Sequence, residues 1–145
     1  MTQPERVYVA LGSNLGDRVA HLAHARMRLV ALPGTTLVGM SVIEETAPLG
    51  PVSQGPYLNQ MLLLETTLAP AELLRYGQAI ELERGRERGV GVRWGPRTLD
   101  IDLVRFGDRV VQSPGLTLPH PQLDARDFWQ RELAELDALL PATHG

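Results

Sequence analysis

Apolar runs of strand length at 6–11, 36–46, 57–68 and 99–106 are separated by two segments of helical period, and few folds accept that order. The run from Arg6 to Leu11 ends in Gly12-Ser13-Asn14, which reads as a buried strand feeding a tight loop. Asp17 is placed to cap a helix from Arg18 to about Leu32, which Pro33-Gly34 stops. Ala20, Ala23, Met27 and Val30 share one stripe of that helix, with Leu22, Ala25 and Leu29 beside it. Thr36 to Thr46 reads as a second strand and, after a turn-rich loop, Tyr57 to Leu68 as a third. Pro70 suits a first helical position, and Leu73, Leu74, Tyr76 and Ile80 carry an apolar face to about Arg84. Leu99 to Phe106 is the fourth strand, Gly107-Asp108 turns the chain into Val110-Val111, and an amphipathic helix from Asp127 to Leu140 closes the order.

The sum is an α+β chain: a ferredoxin-like βαββαβ core with an extra hairpin strand and a C-terminal helix. At 145 residues, with no repeat or linker, residues 1–145 read as a single domain able to bury its own core. With Cys 0, any bound metal must sit on carboxylates or histidines. No signal-like N-terminus and no long apolar run are present, so we expect a cytoplasmic protein with no membrane partner.

All 14 basic residues are arginine, which excludes the phosphate loop built around a lysine. Arg84, Arg86, Arg88, Arg93 and Arg97 cluster in one stretch, where Gly85, Gly89, Gly91, Gly95 and Pro96 break helical period. A solvated helix face is the ordinary reading of a charge run, and these breakers count against it. Arginine forks instead suit bidentate recognition of phosphate, in a lid that closes over a polyphosphate. A formal net charge of -3 argues against a nucleic-acid partner.

Asp100 and Asp102 are two apart in a strand, so both point to one face. Side-by-side carboxylates repel, and a divalent cation between them removes that cost. Magnesium takes one or two carboxylates together with phosphate oxygens and water, whereas a simple pairing of Asp100 with Arg97 is the structural alternative. The neighbouring arginines favour the metal.

The run Arg93-Trp94-Gly95-Pro96-Arg97-Thr98-Leu99-Asp100-Ile101-Asp102 resembles the signature of the 6-hydroxymethyl-7,8-dihydropterin pyrophosphokinases. Gly12-Ser13-Asn14-Leu15-Gly16, Thr46-Ala47-Pro48-Leu49-Gly50-Pro51, Tyr57-Leu58-Asn59 and Leu118-Pro119-His120 add matches in the family's order. The resemblance implies transfer of pyrophosphate from ATP to 6-hydroxymethyl-7,8-dihydropterin by a monomeric enzyme of folate biosynthesis, with AMP leaving. It implies two Mg2+ ions on Asp100 and Asp102, and Arg86 and Arg97 stabilising charge in the transition state. ATP would meet Gln78, Glu81, Arg88, Arg93, Trp94, Thr117 and His120, with Arg126 near both substrates. Tyr57 and Phe128 would stack the pterin, and Asn59, Thr46 and the backbone near Ala47 and Leu49 would take its edge. Trp129 reads as packing. Three departures stand out: Gly115 replaces a basic ATP contact of some members, Trp129-Gln130-Arg131-Glu132 is more polar than the stretch usual there, and the sequence ends soon after Leu140.

Two rivals belong to other classes. An inactive nucleotide-binding homologue would keep the loop without the chemistry, but every expected metal and loop residue is present. A ferredoxin-like sheet that binds single-stranded RNA needs clustered strand aromatics, and Phe 2 with Tyr 3 supply too few.

Overall fold

The computed structural model describes residues 3–47, 55–85 and 98–140. Strands β1 (Glu5–Ser13), β2 (Thr35–Met40), β3 (Glu44–Thr46), β4 (Tyr57–Thr66) and β5 (Asp100–Phe106) form one antiparallel sheet in the order β2-β4-β1-β5. Strand β3 pairs with β4 further along the edge that β2 occupies. Helices α1 (Arg18–Val30) and α2 (Pro70–Glu83) cross over between strands, as the expected ferredoxin-like order requires. A separate hairpin of β6 (Val111–Ser113) and β7 (Leu116–Leu118) leads to α3 (Asp127–Asp137).

Side-chain alternation along the strands feeds two layers. Val7, Val9 and Leu11 of β1 pack with Leu62, Leu64, Ile101 and Leu103 against Leu22, Leu29, Leu73 and Ile80 of α1 and α2. Tyr8 and Ala10 face the other way, with Met61, Leu63 and Val104, onto Trp129, Leu133 and Leu136 of α3. Each fully buried leucine contributes about 1.5–3 kcal/mol, so both faces of the sheet are well covered. Among the described residues no helix is long and apolar enough to cross a membrane.

Several local expectations change. Strand β1 runs on through Gly12 and Ser13, which pair with Asn59 and Leu58 instead of forming a loop. The single strand expected over 36–46 is two, because Ser41 interrupts it: its hydroxyl accepts from Met61 N at 2.9 Å and its carbonyl from Gln60 Nε2 at 2.8 Å. Asp17 caps α1 by accepting from Ala20 N at 3.1 Å. The buried stripe of α1 is Leu22, Ala25 and Leu29, while Met27 and Val30 of the equally periodic neighbouring stripe lie exposed. The leucines carry more apolar area than the alanines competing with them, and burial follows area. Tyr76 is likewise exposed, its place on the inner face of α2 taken by Gly77 against Ile101. The segment after Gly107 pairs with β7 and not with the strand before it. Helix α3 stops at Asp137, leaving Leu139 exposed.

Candidate active site

The extension of β1 creates a continuous row across four strands. Glu44 of β3 lies opposite Asn59 of β4, Asn59 opposite Gly12 of β1, and Gly12 opposite Asp100 of β5. Directly paired residues point to the same face, here the face that α3 covers further along. Strands stand about 4.8 Å apart, so the backbones of Asn59 and Asp100 are about 10 Å apart, with only a hydrogen for a side chain between them. A Cβ on Gly12 would stand 3.4 Å from both Asn59 Oδ1 and the Tyr57 ring. Glycine thus keeps the floor of the row open beside an aromatic ring and an amide. Asn59 is 6 % exposed, and its Nδ2 donates to Thr46 Oγ1 at 2.5 Å, which ties β3 to β4 at the polar edge.

Asp102 follows Asp100 on the same face, opposite Ala10. Two cationic or potentially cationic groups approach it: His120 Nε2 stands 3.7 Å from Oδ1 and Arg126 Nη1 4.0 Å from Oδ2. His120 Nδ1 accepts from Gln122 N at 3.0 Å, so in neutral imidazole the hydrogen is on Nε2, facing the aspartate. Trp129 supports both groups. Its buried indole meets the imidazole edge-on at 4.8 Å, and the Arg126 guanidinium carbon lies 4.3 Å over its ring. Arg126 Nε is buried there without a hydrogen-bond partner, which leaves the cation held by stacking and by Asp102.

Below the aspartates, Glu81 reaches from α2. It is 1 % exposed, and its Oε2 accepts at 2.8 Å from the N–H of Ile101, the residue between Asp100 and Asp102. Strand β5 is the edge of the sheet, so this N–H has no ladder partner on its outer side, and the carboxylate supplies one. A cleft of ≈ 260 Å³ opens along the same edge, lined by Gln78, Asp102, Gly115, Thr117 and His120 among others. Strand edge, helix α2, β7 and the β7–α3 connection therefore bring three of the expected nucleotide contacts, Gln78, Thr117 and His120, together beside Asp102.

The C-terminal turn of α2 is pinned to α1. Glu83 accepts from Arg28 Nε and Nη2, both at 2.9 Å, and these contacts together with His24 hold its carboxyl well below the usual carboxylate range. Arg84 Nε donates to His21 Nδ1 at 2.9 Å. These contacts fix where the arginine-rich stretch departs.

Asp100, Asp102, Gln78, Thr117, His120 and Arg126 thus gather at β5, and Thr46, Tyr57 and Asn59 at the far end of the row. Phe128 is half-buried at the start of α3, edge-on to Trp129 at 6.2 Å, and Ala47 follows β3 at the surface. Leu49, Arg86, Arg88, Arg93, Trp94 and Arg97 lie outside the described residues. Glu81 sits beneath the strand and not at the surface of the cleft. Sequence reasoning takes Gly12 to Gly16 as a loop shaping the floor of the site; it missed that Gly12 is paired strand and that Trp129 is the shelf. The spacing of Trp129 three residues after Arg126 was the available signal.

Asp100 and Asp102 offer oxygen donors, and among the described residues no group of three histidine or acidic side chains forms a metal cage. Zinc would ask for more protein ligands. Magnesium fits this donor set, because it keeps waters and completes its shell with substrate phosphate.

Comparison with known proteins finds a matching family. The family model for 7,8-dihydro-6-hydroxymethylpterin-pyrophosphokinase (HPPK) matches residues 8–138. The 2-amino-4-hydroxy-6-hydroxymethyldihydropteridine pyrophosphokinase of Pseudomonas aeruginosa is 45% identical over 139 residues, covering 94% of this chain and 85% of the relative. That of Bacillus subtilis is 42% identical over 129 residues, covering 89% and 76%. That of Aquifex aeolicus is 37% identical over 131 residues, covering 90% and 79%.

Proposed function

The chain belongs to the 7,8-dihydro-6-hydroxymethylpterin-pyrophosphokinase family and is an ATP-dependent diphosphokinase, and from that premise we propose how its residues divide the work. The reaction moves a pyrophosphoryl group from ATP to hydroxymethyldihydropterin, a step of folate biosynthesis. The hydroxymethyl oxygen bonds to the β-phosphorus, the bond from that phosphorus to the α-phosphate oxygen breaks, and AMP leaves.

The observation that carries the residue-level reading is the row Asn59–Gly12–Asp100. Asn59 and Thr46, with the backbone at Ala47 and Leu49, take the polar edge of the pterin, and Tyr57 and Phe128 take its faces. Gly12 leaves room for the hydroxymethyl arm to point along the row toward Asp100. The length of the row, about two strand spacings, suits a bicyclic ring with one short arm.

Asp100 and Asp102 would hold two Mg2+ ions, whose charge would offset that of the phosphates and make the acceptor hydroxyl easier to deprotonate. Glu81 holds the strand on which both aspartates sit, serving the nucleotide side through the backbone. Gln78, Thr117 and His120 line the nucleotide end, and Arg126, seated on Trp129, lies between the two substrates. Arg86 and Arg97 are assigned to the charge that develops on the transferring group, with Arg88 and Arg93 on the triphosphate and Trp94 closing the loop over it. Excluding water matters because water competes with the hydroxymethyl group for the same phosphorus.

We read the enzyme as acting as a monomer. The absence of cysteine supports a cytoplasmic setting. Asp100→Asn and Asp102→Asn test the division of labour. Turnover should drop by at least about 100-fold in each, with the circular dichroism spectrum kept. Wild-type turnover in both variants would move the metals elsewhere.

A further inference from the structure

Glu132 is a buried carboxyl, 2 % exposed, that the chemistry above does not use. Hydrogen-bond donors reach neither of its oxygens. The group facing it from β3 is Glu44, whose own oxygens take the Arg131 guanidinium at 3.3 and 3.4 Å from the outer side. A buried carboxyl whose nearest polar neighbour is the half-buried carboxyl of Glu44 is satisfied there when a proton lies between the two. The other charged neighbours, Arg131 and Glu135, lie on α3 itself. Glu135 is committed elsewhere, accepting from Val42 N at 2.9 Å.

We propose that Glu132 and Glu44 share a proton as a clasp that holds α3 on β3 and so positions Phe128 over the pterin. Two polar contacts, Arg131 to Glu44 and Val42 N to Glu135, join one face of α3 to residues 42–44, and the shared proton of Glu132 adds a third. Glu132 follows Phe128 by one helical turn, so the clasp fixes the rotation and height of the turn that carries the ring. Glu44 stands opposite Asn59 and two residues before Thr46, so it belongs to the strand that offers the pterin its polar edge. The clasp therefore joins the element beneath one side of the substrate to the element above it. Burial first, and the Glu44 hydrogen bond and charge second, push the Glu132 carboxyl up to about 8. The clasp is closed at neutral pH and opens as the proton is lost.

This inference rests on Phe128 as a pterin contact, so the test separates the two. KM for the pterin and for ATP would be measured across neutral to alkaline pH for the wild type, Glu132→Gln and Phe128→Ala. The wild-type pterin KM should rise several-fold as pH passes about 8, while the ATP KM does not follow. Glu132→Gln, whose amide donates to Glu44 at every pH, should abolish that rise. A flat wild-type profile, or a rise that Glu132→Gln keeps, overturns the clasp. An unchanged pterin KM in Phe128→Ala overturns the stacking role on which it rests. Should Glu132→Gln fail to fold, the carbon-13 shift of the Glu132 carboxyl in the wild type decides. Titration in step with the KM rise supports the clasp, and titration in the ordinary carboxylate range refutes it.

Discussion

Glu81 Oε2 accepts a 2.8 Å hydrogen bond from the N–H of Ile101, the residue that separates Asp100 from Asp102. A carboxylate from one helix thereby sets the height of the strand that presents two others. Glu81→Ala would leave that edge N–H without its partner in a buried place, at a cost of about 1–3 kcal/mol. Turnover should fall with it, whereas Glu81→Gln, which still offers an oxygen, should recover much of both. Thermal melts and steady-state rates of the two variants check this. Equal losses in alanine and glutamine would mean that the charge matters and not the strand contact.

Gly12→Ala places a methyl 3.4 Å from Asn59 Oδ1 and from the Tyr57 ring, at the centre of the row. Ordinary van der Waals contact predicts little change in stability. The methyl occupies the space assigned to the hydroxymethyl arm, so the pterin KM should rise by roughly tenfold, about 1.4 kcal/mol, while ATP binding is kept. Isothermal titration with each substrate separates the two effects, and undiminished pterin affinity would place the arm off this row.

Trp129→Leu keeps the α3 core apolar but removes the ring under Arg126 and the edge partner of His120. Loss of the aromatic contacts should lower kcat more than about tenfold through the two groups at Asp102, beyond any loss of stability. Comparing kcat with the melting temperature distinguishes a shelf from a mere core residue.

How far the sequence spoke for itself can be judged from these residues. Asp100 and Asp102 were legible because strand period alone puts them on one face, and the two crossover helices because Asp17 and Pro70 mark their starts. That Gly12 is strand was not legible, since Gly-Ser-Asn reads locally as a loop and only pairing with Asn59 and Asp100 makes it strand. The break at Ser41 was hidden for a similar reason: its hydroxyl replaces a ladder bond with a partner distant in sequence. Trp129 and Glu132 looked like packing and an irregular polar stretch. Their roles depend on which face α3 turns to the sheet, which Leu133 and Leu136 decide through burial.

The buried Glu132 also sets a pH dependence of stability. Its carboxyl is raised from 4.5 to about 8 in the folded chain, so between those values the folded state holds a proton that the unfolded state has lost. Stability is then fully present below the lower value and declines as pH rises, by on the order of a few kcal/mol in all. Urea unfolding at a series of pH values should show this slope in the wild type and a flatter one in Glu132→Gln. Matching slopes would mean that the carboxyl ionises alike in both states.

The central claim is transfer of a pyrophosphoryl group at the Asp100–Asp102 strand, and the identity of the nucleotide product tests it most directly. Phosphorus-31 spectra of the protein with ATP, magnesium and 6-hydroxymethyl-7,8-dihydropterin should show AMP and the pterin pyrophosphate appearing in equal amounts. Formation of ADP, or ATP left intact beside the pterin, would contradict it.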